Sequence, residues 1–468
     1  MMMAVAMLFP AMFDLRDGTP DWLIFIRSSL FTAVVSSLVF LSTQNSHIRF
    51  SPRLGFLLTV SLWVTAALLG SIPFYFSHLP ISFATALFES TSGITATGST
   101  ALTGLDQMPR GILIWRSLLC WIGGIGFIGL ALLLLPSLRI GGVQLFHMES
   151  SDKSEKILPR VNQLAIGIIV AYCGLTILCI VAYFAAGMGM FDAINHGLTT
   201  ISTAGYSTHD SSFGFFDGNK AILIVAMVFM TLGSLPFILF IKAVIPQQMP
   251  NLLDPQVKLF LSLILIFTFG LAVMLRISSD MPFGTALLTA GFHFISVITT
   301  TGFAMEDYTL WGPAAVGVFF LASFIGGCAG STSGGMKINR IIILWRTTQA
   351  SLTRLVMPHA VVKARYGSSE ITPDIAQSAL LYLFLYFASL VLGTMALSIF
   401  GLDFVSAFTG ALTALSNVGP GLGETIGPAG NFSTINDNAL WVLSYLMLAG
   451  RLELITVVIL FTRAFWVR

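Results

Sequence analysis

Nine stretches of this chain are apolar for long enough to cross a bilayer, and that limits the fold more than any motif. About 30 Å of hydrocarbon takes roughly 20 helical residues. The stretches lie near 22–43, 54–76, 111–137, 162–186, 220–245, 257–275, 313–345, 377–400 and 438–466. Residues 1–13 add a partial one. No basic residue precedes them and the first is Arg16, so they lack the positive start of a secretory signal and read as a short or truncated membrane helix. Only 9% of residues are charged and mean hydropathy is +0.88, against about 25% charged in soluble domains. A soluble globule, a disordered chain, a secreted miniprotein and a nucleic-acid binder are excluded. Cys120, Cys173, Cys179 and Cys328 all fall in apolar runs without metal spacing and read as packing residues.

Orientation follows from the bases. Sixteen Lys and Arg residues, from Arg49 and Arg53 through Lys153, Lys337 and Arg354 to Arg468, fall on one side; Arg16, Arg110, Lys220 and Arg276 fall on the other. The basic side is cytoplasmic. The outer side holds thirteen acids, among them Asp106, Asp210, Asp217, Glu306 and Glu424. Together they concentrate cations at an outer mouth, although each alone is an ordinary solvated loop residue.

Between spans lie shorter apolar stretches near 82–94, 190–201, 283–298 and 403–415, too short to span and too apolar for solvent loops, as re-entrant segments are. Each ends in a similar motif: Ile94-Thr95-Ala96-Thr97-Gly98-Ser99, Ile201-Ser202-Thr203-Ala204-Gly205-Tyr206, Ile298-Thr299-Thr300-Thr301-Gly302-Phe303 and Leu415-Ser416-Asn417-Val418-Gly419-Pro420. Every copy has an aliphatic residue four before the glycine and a hydroxyl three before it. The fold expected is an all-α polytopic membrane protein of four fused repeats, each a span, a re-entrant pore helix and a second span, around a pseudo-fourfold pore. Extra helices occupy 1–50, and the repeats run 51–140, 141–250, 251–365 and 366–468.

These residue types suit a cation pore. A re-entrant helix entering from outside aims its C-terminus, with about half a negative charge, at the membrane centre. Backbone carbonyls beyond it replace an ion's hydration shell, glycine supplies unusual dihedrals, and hydroxyls add ligands. Asp192 and Asp403 stand where the second and fourth re-entrant helices begin and read as capping acids.

In this order the motifs resemble the Trk/Ktr/HKT superfamily of potassium transporters, in particular the bacterial Trk-type membrane subunit. Carrying the likeness are Thr203-Ala204-Gly205-Tyr206-Ser207-Thr208-His209-Asp210, the stretch from Gly326 to Lys337, and Gly450-Arg451-Leu452-Glu453 with Phe465-Trp466. The resemblance implies that Gly98, Gly205, Gly302 and Gly419 are selectivity glycines, with carbonyls from Thr95, Ala96, Thr97, Ser202, Thr203, Ala204, Thr299, Thr300, Thr301, Ser416, Asn417 and Val418 binding K+. Four glycines imply a preference for potassium; Ser99 and Pro420, where the other copies have Tyr206 and Phe303, imply an imperfect filter.

Buried charge marks function by default. Arg451 lies 32 residues after Gly419, and the same offset from Gly302 reaches Gly334, inside a stretch with five glycines in ten residues beside Ser331-Thr332-Ser333. That stretch reads as a loop rather than a GxxxG packing face. The resemblance makes Arg451 and residues 326–337 (Gly330, Ser331, Thr332, Ser333, Gly334, Gly335 and Lys337 among them) an intramembrane gate. Lys337 reads equally as a second positive element or as the first cytoplasmic anchor. Glu89, His196 and His293 each lie nine before a filter glycine and are expected to brace the filter by hydrogen bonds, with proton sensing by the histidines the lesser alternative. Arg116 pairs with one of these groups or with a lipid head group.

Two motifs are rejected. Gly124-Ile125-Gly126-Phe127-Ile128-Gly129 fits a dinucleotide fingerprint but sits inside a membrane span, not a βαβ unit. Gly330–Lys337 resembles a phosphate loop, yet Met336 intervenes and no Ser or Thr follows the lysine. The resemblance further implies a homodimer, a cytosolic nucleotide-binding regulatory subunit of the TrkA type on the cytoplasmic face, and multi-pass insertion in a bacterial inner membrane. The expected activity is gated, channel-like potassium uptake rather than enzymatic catalysis. A proton- or sodium-coupled symporter on the same fold is the alternative.

Overall fold

The structure, a computed structural model, describes residues 1–44, 51–130, 157–244 and 254–467. Arg49, Arg139, Lys153, Lys156 and Arg468, the end of the 111–137 span, and most of the 138–161 connection lie outside the described residues. The regular secondary structure of the described residues is helical apart from a small hairpin, Arg365–Tyr366 with Ser369–Glu370.

Four times a long span is followed by a short helix that packs back against it: Pro52–Phe76 with Phe83–Ile94, Ile157–Ala185 with Met190–Ile201, Pro255–Ser279 with Phe283–Ile298, and Pro373–Ile399 with Phe404–Ser416. The starts are written locally. Ser51 caps the helix that opens on Pro52, and Asp254 the one that opens on Pro255; Ser82 and Asp403 cap the first and fourth short helices. Such side chains satisfy amides that otherwise lack partners.

The second span of each repeat then packs on the short helix of the next. Arg110–Gly129 meets Met190–Ile201, Lys220–Gly233 meets Phe283–Ile298, and Pro313–Phe324 meets Phe404–Ser416. Asp437–Arg451 returns to Phe83–Ile94 and closes the circle. The expected fourfold repeat is thus present as a closed ring, and the short helices are buried almost throughout inside it. Leu, Val and Phe side chains left exposed on Trp22–Thr43, Ile157–Ala185 and Pro373–Ile399 face outward, where lipid covers them.

Hydropathy alone mislocated three features. The stretch 220–245 is not one straight span: Lys220–Gly233 and Phe237–Val244 meet at 94°. The cause is Ser234-Leu235-Pro236, since proline cannot donate into a helix. The last span bends by 113° after Arg451, where Glu453 takes a left-handed φ of 61°. The N-terminal segment forms two short helices, Met2–Ala6 and Leu8–Asp17, the second of which packs on Arg110–Gly129. Asp14 holds it there by accepting from the Gly111 amide at 2.7 Å.

Candidate functional site

All four short helices end in the same way. The residue two before each glycine is left-handed: Ala96 and Thr203 at φ 51°, Thr300 at 57° and Asn417 at 54°. Its amide donates three residues back, to Gly93, Thr200, Val297 and Ala414; the next amide donates five back, to Ser92, Thr199, Ser296 and Thr413. This paired closure is the Schellman motif. Glycine usually takes the left-handed position, and another residue there costs about 1–2 kcal/mol. Such strain persists where surrounding structure imposes it.

Two residues later the chain turns left-handed again, at Gly98 (82°), Gly205 (76°), Gly302 (84°) and Gly419 (111°). Here the missing side chain is required. A Cβ on Gly98 would overlap the Ala204 carbonyl oxygen, one on Gly205 that of Thr301, and one on Gly302 that of Val418. On Gly419 it would lie 3.0 Å from the Thr97 oxygen. Each glycine therefore abuts the residue preceding the next copy's glycine, and the fourth returns to the first. The four hairpins form a ring of main chain, at the floor of a cavity of ≈ 230 Å³ whose walls include Thr100, Tyr206, Asp210 and Phe432.

The hydroxyls three before the glycines do two things. Thr95, Ser202 and Thr299 donate one helical turn back, to Thr91, Leu198 and Ile295 at 2.7, 2.9 and 2.6 Å. Ser416 instead pairs with the Tyr386 hydroxyl at 2.6 Å. Each such oxygen retains a lone pair for another partner.

Behind the ring, Glu89 accepts from Thr100 Oγ1 and from the Ala101 and Leu102 amides, and it pairs with Arg116 at 3.1 Å. His196 Nε2 lies 3.0 Å from Ser207 Oγ. Both brace the residue two beyond their own glycine, as the sequence led one to expect. His293 does not. Neither ring nitrogen has a hydrogen-bond partner among the described residues, because Ala304 stands where Thr100 and Ser207 do. Tyr308 and Trp311 pack against its ring instead.

Residues 326–337 form a loop tucked beneath the ring, as expected. Thr332 Oγ1 donates to the Ile201 and Gly233 carbonyls, and Ser333 Oγ to Thr299 O at 2.7 Å. The Gly334 amide donates to Thr300 Oγ1 at 2.7 Å. Gly330 accepts from the Phe237 amide, and Gln256 holds the Ala329 amide. A Cβ on Gly334 would overlap Ser416 O, so the loop touches copies two, three and four. Ser331, Thr332 and Ser333 are fully buried. Lys337 Nζ donates to the Ser333 carbonyl and is itself buried, so it lies inside the protein rather than at its surface.

Arg451 ends the helix Asp437–Arg451 and is 1% exposed. None of its three guanidinium nitrogens has a hydrogen-bond partner among the described residues; the group lies over the Phe127 ring at 4.1 Å. Two residues on, Glu453 forms a buried pair with Arg340, which also stacks on Tyr382 at 3.9 Å. Sequence reasoning missed that pair, whose members are 113 residues apart.

Near His209 and Asp210 of the cavity wall, Asp192 is no cap. It accepts from Thr208 Oγ1 at 2.7 Å and lies 3.6 Å from His209 Nε2. His209 Nδ1 meets Asp106 at 2.5 Å, and Asp210 accepts from the Gly104 and Leu105 amides. Burial alone would lower the His209 pKa, but the adjoining Asp192 and Asp106 carboxylates outweigh it and raise the value. The hydrogen bond with His209 lowers that of Asp106.

The TrkH family profile, described as a cation transport protein, matches residues 23–466. The chain belongs to that family. Among TrkH-family relatives, the Trk system potassium uptake protein TrkI of Halomonas elongata is 39% identical, with 100% of this chain and 94% of that protein aligned. The TrkH protein of Escherichia coli K12 is 35% identical over 96% of this chain and 93% of its own. A crystal structure of the potassium transporter TrkH from Vibrio parahaemolyticus superposes with a TM-score of 0.91 at 34% identity, covering 99% of this chain and 96% of that one. The names place the family among transporters, not enzymes.

Proposed function

We propose that this chain takes potassium into a bacterial cell through its inner membrane, by a gated, channel-like path driven largely by membrane potential. The observation that carries the reading is the closed ring. Four main-chain hairpins of one polypeptide meet glycine to carbonyl, at the C-termini of four helices whose dipoles favour a cation. The relatives' names as potassium uptake proteins supply the ion. In this reading Thr95–Gly98, Ser202–Gly205, Thr299–Gly302 and Ser416–Gly419 are the selectivity filter. Residues 1–50 are extra helices, and 51–140, 141–250, 251–365 and 366–468 are the four repeats. One charge crossing 100 mV gains about 2.3 kcal/mol, enough to drive accumulation without chemical coupling.

Residues 330–335 with Arg451 and Lys337 are the gate. The loop lies just beneath the ring, and the Arg451 guanidinium there, with no hydrogen bond among the described residues, repels a cation leaving it. No nucleotide fingerprint survives in this chain, so nucleotide control comes through a TrkA-like cytosolic subunit on the basic face of a homodimer.

Flux of potassium, rubidium and sodium into liposomes under imposed voltage tests this. Potassium and rubidium should enter in preference to sodium, with a reversal potential following potassium alone. A reversal potential that tracks protons or sodium at fixed stoichiometry replaces the channel-like path by a symporter. Arg451→Ala, or a deletion within 330–335, should raise flux in the absence of the regulator. Unaltered basal flux removes the gate assignment.

A further inference from the structure

The four junctions of the ring are held by different means. Between copies two and three Phe303 lies beside His196 and 4.4 Å from Phe213, whose amide donates to the Ala304 carbonyl at 2.9 Å. Between copies three and four Pro420 sits against Gly302, and the nearby His293 makes no hydrogen bond among the described residues. Copies four and one are tied by Ser99 Oγ donating to Gly419 O at 2.8 Å and Asn417 Nδ2 to Thr97 Oγ1 at 2.9 Å.

The junction of copies one and two has a hub. Arg116 Nε donates to Glu89, one terminal nitrogen to Thr100 Oγ1 at 2.8 Å, and the other to the Ser207 carbonyl at 3.1 Å. Its plane lies 4.0 Å over the Tyr206 ring. Tyr206 in turn donates from its hydroxyl towards the Glu89 and Ser99 carbonyls, at 3.0 and 3.2 Å. Thr100 and Ser207 occupy the same position in their copies, two beyond the glycine. A single rigid fork thus fixes the distance between matched points on adjacent hairpins, which a lysine's one nitrogen cannot do. Arg116 and Glu89 are 1% and 0% exposed, so water does not loosen the arrangement.

We propose that Arg116 is a positioning residue that sets the width of the ring between Gly98 and Gly205, and through it the discrimination between potassium and the smaller sodium ion. The inference rests on the filter reading above. Carbonyls that are free to close in coordinate a smaller ion as well as a large one; held apart, they do not.

The test compares Arg116→Lys, Tyr206→Phe and Gly98→Ser, each purified full-length, checked for a monodisperse elution profile, and reconstituted for flux. Arg116→Lys keeps a positive charge facing Glu89 and should retain flux, while its sodium-to-potassium permeability ratio rises about five- to tenfold. That is the scale of one ordinary lost hydrogen bond. Tyr206→Phe should move the ratio the same way by about twofold, and it carries the test should the lysine variant not fold. A purely structural role would lower yield or total flux and leave the ratio alone. A wild-type ratio in folded Arg116→Lys, or in Tyr206→Phe should the lysine variant not fold, beside an altered ratio in Gly98→Ser, overturns the positioning role and leaves the filter standing. A wild-type ratio in all three overturns the filter itself.

Discussion

Arg116 and Arg451 are each 1% exposed in the membrane interior, yet they are treated oppositely. Arg116 has a carboxylate, a hydroxyl, a carbonyl and an aromatic face around it. Arg451 has one aromatic face and no hydrogen bond among the described residues. A buried charge that is paired and hydrogen-bonded is part of the scaffold; one left uncompensated is costly and persists only for a purpose. The contrast separates a residue that holds the ring from one that acts on what passes through it.

The largest effect expected from breaking this contrast is in Arg116→Met. It strands Glu89 without its partner, and stranding one member of a buried pair typically costs about 3–5 kcal/mol. Thermal unfolding of the detergent-purified protein should show a large loss of stability; a wild-type melting temperature would mean that the pair is not part of the scaffold. Arg451→Met should do the reverse, leaving the melting temperature unchanged or raised, because no hydrogen-bond partner among the described residues is stranded and a desolvated charge is removed. Severe destabilisation there would mean that Arg451 has partners of its own.

A middle-sized effect concerns the glycines. A side chain at Gly98 collides with backbone, whereas one at Gly419 comes no nearer than 3.0 Å to Thr97 O. Both positions are left-handed, so both variants are strained, but Gly98→Ser should disturb the sodium-to-potassium ratio more than Gly419→Ser. Equal disturbance would show that the ring is more symmetric than its junctions suggest.

The smallest effect belongs to a third cation, His209, whose charge is conditional. Its raised pKa means that its attraction to the Asp106 and Asp192 carboxylates is complete below the ordinary histidine value of about 6.5 and is lost as pH rises through the raised value. Asp106, with a lowered pKa, contributes above about pH 4 and fails only in stronger acid. Hydrogen exchange in residues 99–110 and 206–216, corrected for intrinsic rates, should be slower near pH 6 than near pH 8.5. His209→Gln should abolish that difference, and its persistence would remove His209 as the cause.

Much of this arrangement was legible in the sequence. Span lengths, the basic side and the four motifs at one register gave the fourfold plan, because each needs a specific residue type at a fixed spacing. The break at 326–337 was legible too, since glycine and serine interrupt an apolar run visibly. The bends at Ser234–Pro236 and after Arg451 were not, because Leu235 and Leu452 keep the hydropathy high across them. Nor did the sequence reveal the left-handed residues before the glycines: Ala96, Thr203 and Thr300 have no preference for that conformation, and the helix closure imposes it. Arg116 was visible as a buried charge, but its partners lie 16, 27 and 91 residues away, and only the packing of copy two on copy one brings them together. His293 shows the converse. Equivalence of position suggested a brace, and one substitution elsewhere, Ala304, removed what it would have held.

The most direct test of the ring as an ion site is the anomalous density of rubidium or thallium in crystals of this chain grown in either salt. The account predicts density on the axis enclosed by Thr97, Ala204, Thr301 and Val418. Ordered ions elsewhere in the protein, with none on that axis, would contradict it.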